Sequence, residues 1–258
     1  MAVERAVFLI ADIGGYTRFM KVHRINLTHA QYVVAQLLEA VIDAAAPAFK
    51  LAKLEGDAAF FYALAGGKGE PDLASLGERV AEIRQAFVTR RREIEIDRVC
   101  NCDGCVQASQ LTLKFVSHVG DVAFQKVKRL TELAGVDVIF VHRLLKNAVP
   151  ISEYVLMSEP VHAGLAPAVR DVARESAEDL EGLGETRTYY VALDDLAHPA
   201  SGTGPSASAV RRLRAWAKMT IRSLPFFVGA REPCEGFRNM DEAKGKGTLP
   251  TSSAAEKN

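Results

Sequence analysis

Two aspartates and a group of three cysteines are the residues of this chain whose types and spacing could do chemistry. Asp12 closes the apolar run RAVFLIAD (5–12), and Asp57 follows Glu55-Gly56 between two further strand-like runs, 48–54 and 58–64. A carboxylate at the end of an apolar strand is costly to bury without a partner. Two carboxylates at neighbouring strand ends can share a hard cation such as Mg²⁺, which prefers oxygen ligands. Taken alone, each aspartate also suits an ordinary strand end or a Gly-Asp turn. Cys100, Cys102 and Cys105 form a C-x-C-x-x-C turn around Asp103-Gly104, which lets three sulfurs converge on one zinc ion. Structural zinc takes four ligands, so Cys234, a histidine such as His118 or a second copy of the chain would complete the set. The alternative is a loop of buried or inert thiols.

The elements that must position these groups follow from periodicity. Residues 5–12 form an apolar run too short for a helix and are expected as a buried strand. Thr28 and Gln31 have capping-box spacing and open an apolar-periodic helix to about Ala46. The hairpin around Asp57 follows, then a helix over about 73–92. Strands are expected at 111–120, 123–128, 153–158 and 187–193, with a helix over about 136–147. Strand, helix, hairpin, helix, strand is the order of an α+β, ferredoxin-like sheet (a βαββαβ core) with helices on one face. The chain divides into a domain over 1–195, a linker over 196–206, a basic amphipathic helix with an apolar segment over 207–229, and a polar, partly disordered tail over 230–258.

Composition narrows the function classes. Lys plus Arg and Asp plus Glu number 32 each among 258 residues, a balance that favours neither a nucleic-acid binder nor a protein held to membranes by overall charge. No apolar run approaches the roughly 20 residues of a spanning helix. The N-terminus shows no secretory pattern, so a cytoplasmic protein with reduced thiols is the expectation.

Five segments, in order, carry a resemblance. FLIADIGGYTRFM (8–20) has an acid followed by a Gly-aromatic-Thr turn, and KLEGDAAFFY (53–62) has a lysine ahead of Gly-Asp. SHVGDV (117–122) holds His-x-Gly. In ELAGVDVIFVHRL (132–144) a glycine precedes a helical arginine by eight residues. GLGETRTYYV (182–191) closes with Gly-x-Gly and Thr-Tyr. Together they resemble the catalytic domain of class III adenylate and guanylate cyclases, in a bacterial branch with a C-x-C-x-x-C segment. The resemblance spans about residues 5–195. It implies a nucleotidyl-cyclase-type sheet that converts ATP to cyclic AMP and pyrophosphate at a homodimer interface with two Mg²⁺ or Mn²⁺ ions. Asp12 and Asp57 match the metal ligands, and Gly14, Gly15, Tyr16 and Thr17 match the phosphate-binding turn. Lys53 matches the adenine-selecting lysine and Glu132 its acidic partner in base recognition. Arg143 matches the arginine that stabilises charge on the α-phosphate.

The chain departs from the pattern twice. Ile139 stands where the family has an asparagine one helical turn before its arginine, and Leu183 stands where it has a triphosphate-binding lysine. Each loss is of the kind that costs about 10²–10³ in rate. The second reading is therefore a catalytically silent nucleotide-binding or sensor domain of the same fold. Residues 207–229 set Val210, Leu213, Ala217, Ile221 and Leu224 on one face, with Arg211, Arg212, Arg214, Lys218 and Arg222 over much of the remainder. Such a helix docks on its own domain or dimer, or meets a membrane surface or a protein partner.

Overall fold

The computed structural model describes residues 3–22, 27–46, 48–65, 72–96 and 107–196, with isolated positions between 213 and 228. Strand β1 (Val3–Gly14) is followed by α1 (Tyr16–Val22), α2 (Leu27–Ala45), β2 (Lys50–Glu55) and β3 (Ala58–Leu64). Next come α3 (Leu76–Ile96), a 3₁₀ turn at Ala108–Gln110, β4 (Thr112–Val127), β5 (Leu130–Ala134) and α4 (Val136–Arg143). The remaining elements are β6 (Tyr154–Ser158), α5 (Glu159–Gly164), α6 (Pro167–Arg170), β7 (Arg174–Leu180), β8 (Gly184–Ala192) and α7 (Leu193–Leu196).

The strands form one sheet in the order β2-β3-β1-β4-β6-β8-β7, with β5 pairing on β4. The first four strands give the expected ferredoxin-like arrangement, with β1 antiparallel to both β3 and β4. Beyond β4 the sheet continues through a parallel pairing, Phe115↔Val155 to Ser117↔Met157, into the antiparallel strands β6, β8 and β7.

Burial explains the layers. Ala6 to Ala11 of β1 are all buried, the signature of a strand covered on both faces. Val7, Leu9 and Ala11 point to one side, where α2 contributes Val33, Val34, Leu37 and Val41 and α3 contributes Leu76, Val80, Ile83 and Phe87. Both sets recur at three- and four-residue intervals, which turns one helix face inward. Ala6, Phe8 and Ile10 point to the other side, against Val138, Val141 and Leu144. The expectation of helices on one face is thus corrected: α4 packs opposite α2 and α3, because the central strands are apolar on both sides.

Other differences have local causes. β4 is one strand of 16 residues where two were expected, and α4 ends at Arg143, with a turn after it. β5 and β7 were not anticipated. β7, RESAEDL, lies at the sheet edge and buries only Glu178 and Leu180, so it lacks the apolar alternation that marks a strand. The cysteines (Cys100, Cys102, Cys105, Cys234), linker residues 197–206 and the tail 230–258 lie outside the described residues. Among the described residues no helix is long and apolar enough to cross a membrane.

Candidate functional site

Asp12 and Asp57 come together because β1 pairs with β3. Asp12 is opposite Ala58, the residue after Asp57, and the Ile13 N–H donates to the Asp57 carbonyl at 3.2 Å. This bond fixes the Gly56-Asp57 turn against the end of β1. Burial first, and the charge of Asp12 second, push the Asp57 carboxyl up to about 6. Burial and then the charge of Asp57 also raise the phenol of Tyr16. The site is short of positive charge, which is the condition a bound cation relieves.

A lysine that sequence reasoning missed lies beside the pair. Lys114 of β4 is opposite Asp12 in register, and its Nζ is 3.1 Å from Asp12 Oδ2. Both side chains are mostly buried. On the next strand the aligned position is Tyr154, whose hydroxyl donates to Asn147 Oδ1 at 2.8 Å. A lysine between Leu113 and Phe115 looks like the outward position of an alternating strand. Only the pairing with Asp12 gives it meaning.

The turn after Asp12 is shaped by two glycines. Gly15 has φ +84°, a conformation L-residues rarely adopt, and a Cβ on Gly14 would collide with Thr112 Oγ1. The turn delivers Tyr16 and Thr17 into α1, whose first bond runs from the Phe19 N–H to the Gly15 carbonyl at 2.9 Å. Tyr16 is half-buried and Thr17 exposed.

The other candidates gather around the C-terminal end of α4. Lys53 Nζ lies 2.9 Å from Glu55 Oε1, and His142 Nε2 lies 3.0 Å from the same oxygen. The His142 Nδ1 donates to the Val138 carbonyl at 2.7 Å, and its ring meets Phe60 edge-on. Burial opposes ionisation of Glu55, but Lys53 and His142 outweigh it and hold the carboxyl below its usual range. His142 thus ties α4 to the strand that carries Lys53. Arg143 Nη1 donates to Glu181 in the β7–β8 turn. Ile139 and Leu183 are both exposed, at 52% and 36%. Glu132 sits on β5 opposite Gln125, while the acid paired with Lys53 is Glu55. Within one chain, Arg143 is engaged by Glu181 and not by the aspartate site.

His118 anchors the start of α4. Its Nε2 donates to Asp137 Oδ1 at 3.1 Å, and its Nδ1 meets the Ser158 hydroxyl at 2.8 Å. Burial depresses its basicity more than Asp137 restores it, so the neutral ring donates from one nitrogen and accepts at the other. Asp137 Oδ2 also accepts the Asp121 N–H at 2.6 Å, and Gly120 leaves the room Asp137 occupies. With both nitrogens engaged, His118 is no zinc ligand in this conformation.

Two half-buried carboxylates suit a hard cation. Among the described residues no third His, Cys, Asp or Glu joins them. Mg²⁺ is commonly held by one or two carboxylates, with phosphate and water oxygens completing its shell, so the donor set fits such an ion when it arrives with a triphosphate.

Comparison with known proteins bears on the family and the fold. A mycobacterial protein, "Uncharacterized protein Rv2561/Rv2562" of Mycobacterium tuberculosis, is 47% identical over 207 residues, covering 80% of this chain and 94% of its own. The chain belongs to its family. A family model described as "Protein of unknown function (DUF2652)" matches residues 34–154. Among solved structures, the adenylyl cyclase CyaB of Pseudomonas aeruginosa superposes with a TM-score of 0.50 at 12% identity, over 80% of this chain and 98% of that one. A class III adenylyl cyclase-like ATP-binding protein from Pseudomonas aeruginosa gives 0.52 at 16% identity, over 66% of this chain and 36% of that longer one. The chain thus has the fold of class III cyclase catalytic domains.

Proposed function

We propose that this protein is a metal-dependent nucleotidyl cyclase that converts ATP to cyclic AMP and pyrophosphate at a homodimer interface. The observation that carries the reading is the Asp12–Asp57 pair, half-buried at adjoining strand ends with the Lys114 ammonium alongside. Asp12 and Asp57 would hold Mg²⁺ or Mn²⁺, which supplies charge neutralisation on the phosphates and activation of the ribose 3′-hydroxyl. The Gly14–Thr17 turn would offer backbone N–H groups to the β- and γ-phosphates. Lys114 would add a fixed positive charge, partly replacing the one lost at Leu183. Lys53, braced by Glu55, would read the base together with Glu132. Arg143 would leave Glu181 to stabilise charge on the α-phosphate. In one chain its recorded partner is Glu181 and neither aspartate, as a site shared by two protomers would require.

A second reading has its own support. The exposed apolar side chains of Ile139 and Leu183 stand where transition-state and phosphate contacts are expected, which favours a silent nucleotide-binding domain. A cyclic-nucleotide assay with ATP and GTP in Mg²⁺ or Mn²⁺ separates the two. Product from the wild type that disappears in Asp57→Ala supports the cyclase. Metal-dependent ATP binding without product supports the silent domain, and product persisting in Asp57→Ala overturns the metal assignment.

A further inference from the structure

Lys53 and Glu55 stand on the edge strand β2 and share the α4 face of the sheet. Their partners in register, Phe60 and Ala58, lie in the cluster with Val138 and Val141. Glu55 Oε1 takes both the Lys53 ammonium at 2.9 Å and His142 Nε2 at 3.0 Å. The other ring nitrogen of His142, Nδ1, donates to the Val138 carbonyl at 2.7 Å. With an acceptor at each nitrogen, the ring that makes both contacts donates from both. A carboxylate oxygen has two lone pairs, so Oε1 is filled. Among the described residues Glu55 Oε2 takes no hydrogen bond. The Glu55 side chain is 28% exposed, which leaves it open to a ligand.

The result is a donor beside a single free acceptor. Lys53 has three N–H donors and can keep its bond to Oε1 while giving another to a base. The hydrogen-bonding edge of adenine is the complement of this pair, with an acceptor at N1 and a donor at the N6 amino group. Guanine presents an acceptor at O6 and two neighbouring donors, N1–H and the N2 amino group, so it needs two free acceptors. Two open carboxylate oxygens would take those donors side by side. Here His142 fills the lone pair that the second donor requires, and a donor left unpaired in a partly buried site costs about ten-fold in affinity.

We propose that His142 is a specificity-determining residue of the nucleotide site: by filling Glu55 Oε1 it leaves one free carboxylate oxygen, which admits adenine and disfavours guanine. Lys53 and Glu55 touch the base, and His142 acts through Glu55 as a positioning residue. The proposal rests on the nucleotide reading above and gives its base preference a physical cause.

Full-length protein with Mn²⁺ is titrated by calorimetry with 3′-deoxy-ATP, 3′-deoxy-GTP and inorganic tripolyphosphate. The first two lack the hydroxyl that cyclises, and the third lacks a base. The wild type should bind 3′-deoxy-ATP about ten-fold more tightly than 3′-deoxy-GTP. His142→Phe keeps a ring against Phe60 and frees the lone pair. It should tighten 3′-deoxy-GTP binding about ten-fold and leave tripolyphosphate unchanged. His142→Gln, which can donate to the same oxygen, should keep the wild-type ratio. Glu55→Gln tests the point without altering α4. Its amide donates as well as accepts, so the two nucleotides should bind within about two-fold of each other. A merely structural role would shift all three ligands alike, and that result overturns the proposal. So does a His142→Phe or Glu55→Gln protein that keeps the wild-type ratio. A wild type that binds both nucleotides without preference overturns it while the nucleotide reading stands. A wild type that binds none of the three ligands overturns both.

Discussion

Burial of Asp57 sets folding against ionisation, whereas the proposed metal site would need the carboxylate. The Asp57 carboxyl is held at about 6 in the folded chain against 3.8 as a free group. The folded state therefore prefers it protonated. Metal-free stability should fall as pH rises from about 4 to about 6 and stay reduced above that. Asp57→Asn should raise metal-free stability by roughly 1–2 kcal/mol at pH 8, a figure reduced for the solvent that reaches this half-buried group. Thermal melts of the two proteins should converge below about pH 4. Added Mn²⁺ should stabilise the wild type and leave the variant unchanged. Lys114 gives a second test. Lys114→Met should weaken metal–ATP binding about ten-fold by calorimetry, equivalent to about 1.4 kcal/mol. The two aspartates were legible in the sequence because acids at the ends of apolar runs stand out. Lys114, Glu55 and Glu181 were not. Each gains its role from a partner 38 to 102 positions away, set by strand register or by a turn that spacing does not reveal.

Between the residue and the fold stands α4, which carries His142 and Arg143 but has only eight residues of its own. Helices this short are not stable alone, so its placement depends on what holds it. Val138 and Val141 bury one side. The His118–Asp137 contact fixes the start, and Glu55 and Glu181 receive the basic residues at the end. His118→Ala removes two hydrogen bonds and a ring packed 4.2 Å from Phe140. It should cost about 2–4 kcal/mol in urea denaturation and speed hydrogen exchange in α4 more than in α2. Gly120→Ala should destabilise by about 1–3 kcal/mol, because the added methyl meets the Asp137 side chain. The longer elements were legible in outline because α2, α3 and β1 to β3 carry their periodicity over enough residues to show. β5 and β7 were not. Their exposed positions are mostly polar, and their partners β4 and β8 supply the order that their own composition does not.

At the scale of the whole molecule, the proposed site shared by two protomers makes a prediction of its own. If each protomer lends its aspartates to one site and its Arg143 to another, the inactive variants Asp57→Ala and Arg143→Ala should recover part of the activity when mixed, because one of the two sites in a mixed dimer is then intact. Analytical ultracentrifugation should show the dimer alongside. The sheet that supports these groups also has a seam. β4 and β6 meet through a short parallel pairing, and Arg84 of α3 bridges the join to Glu153 at 2.9 Å and Asp194 at 2.6 Å. On one side of the seam lie Asp12, Asp57 and Lys114; on the other lies the hairpin whose turn holds Arg143 through Glu181. Every residue of β6 is buried, so the join is closed by core packing on both faces of the sheet as well as by Arg84. The aspartates and the hairpin that holds Arg143 thus ride on opposite sides of one covered join, whose geometry Arg84 helps to keep.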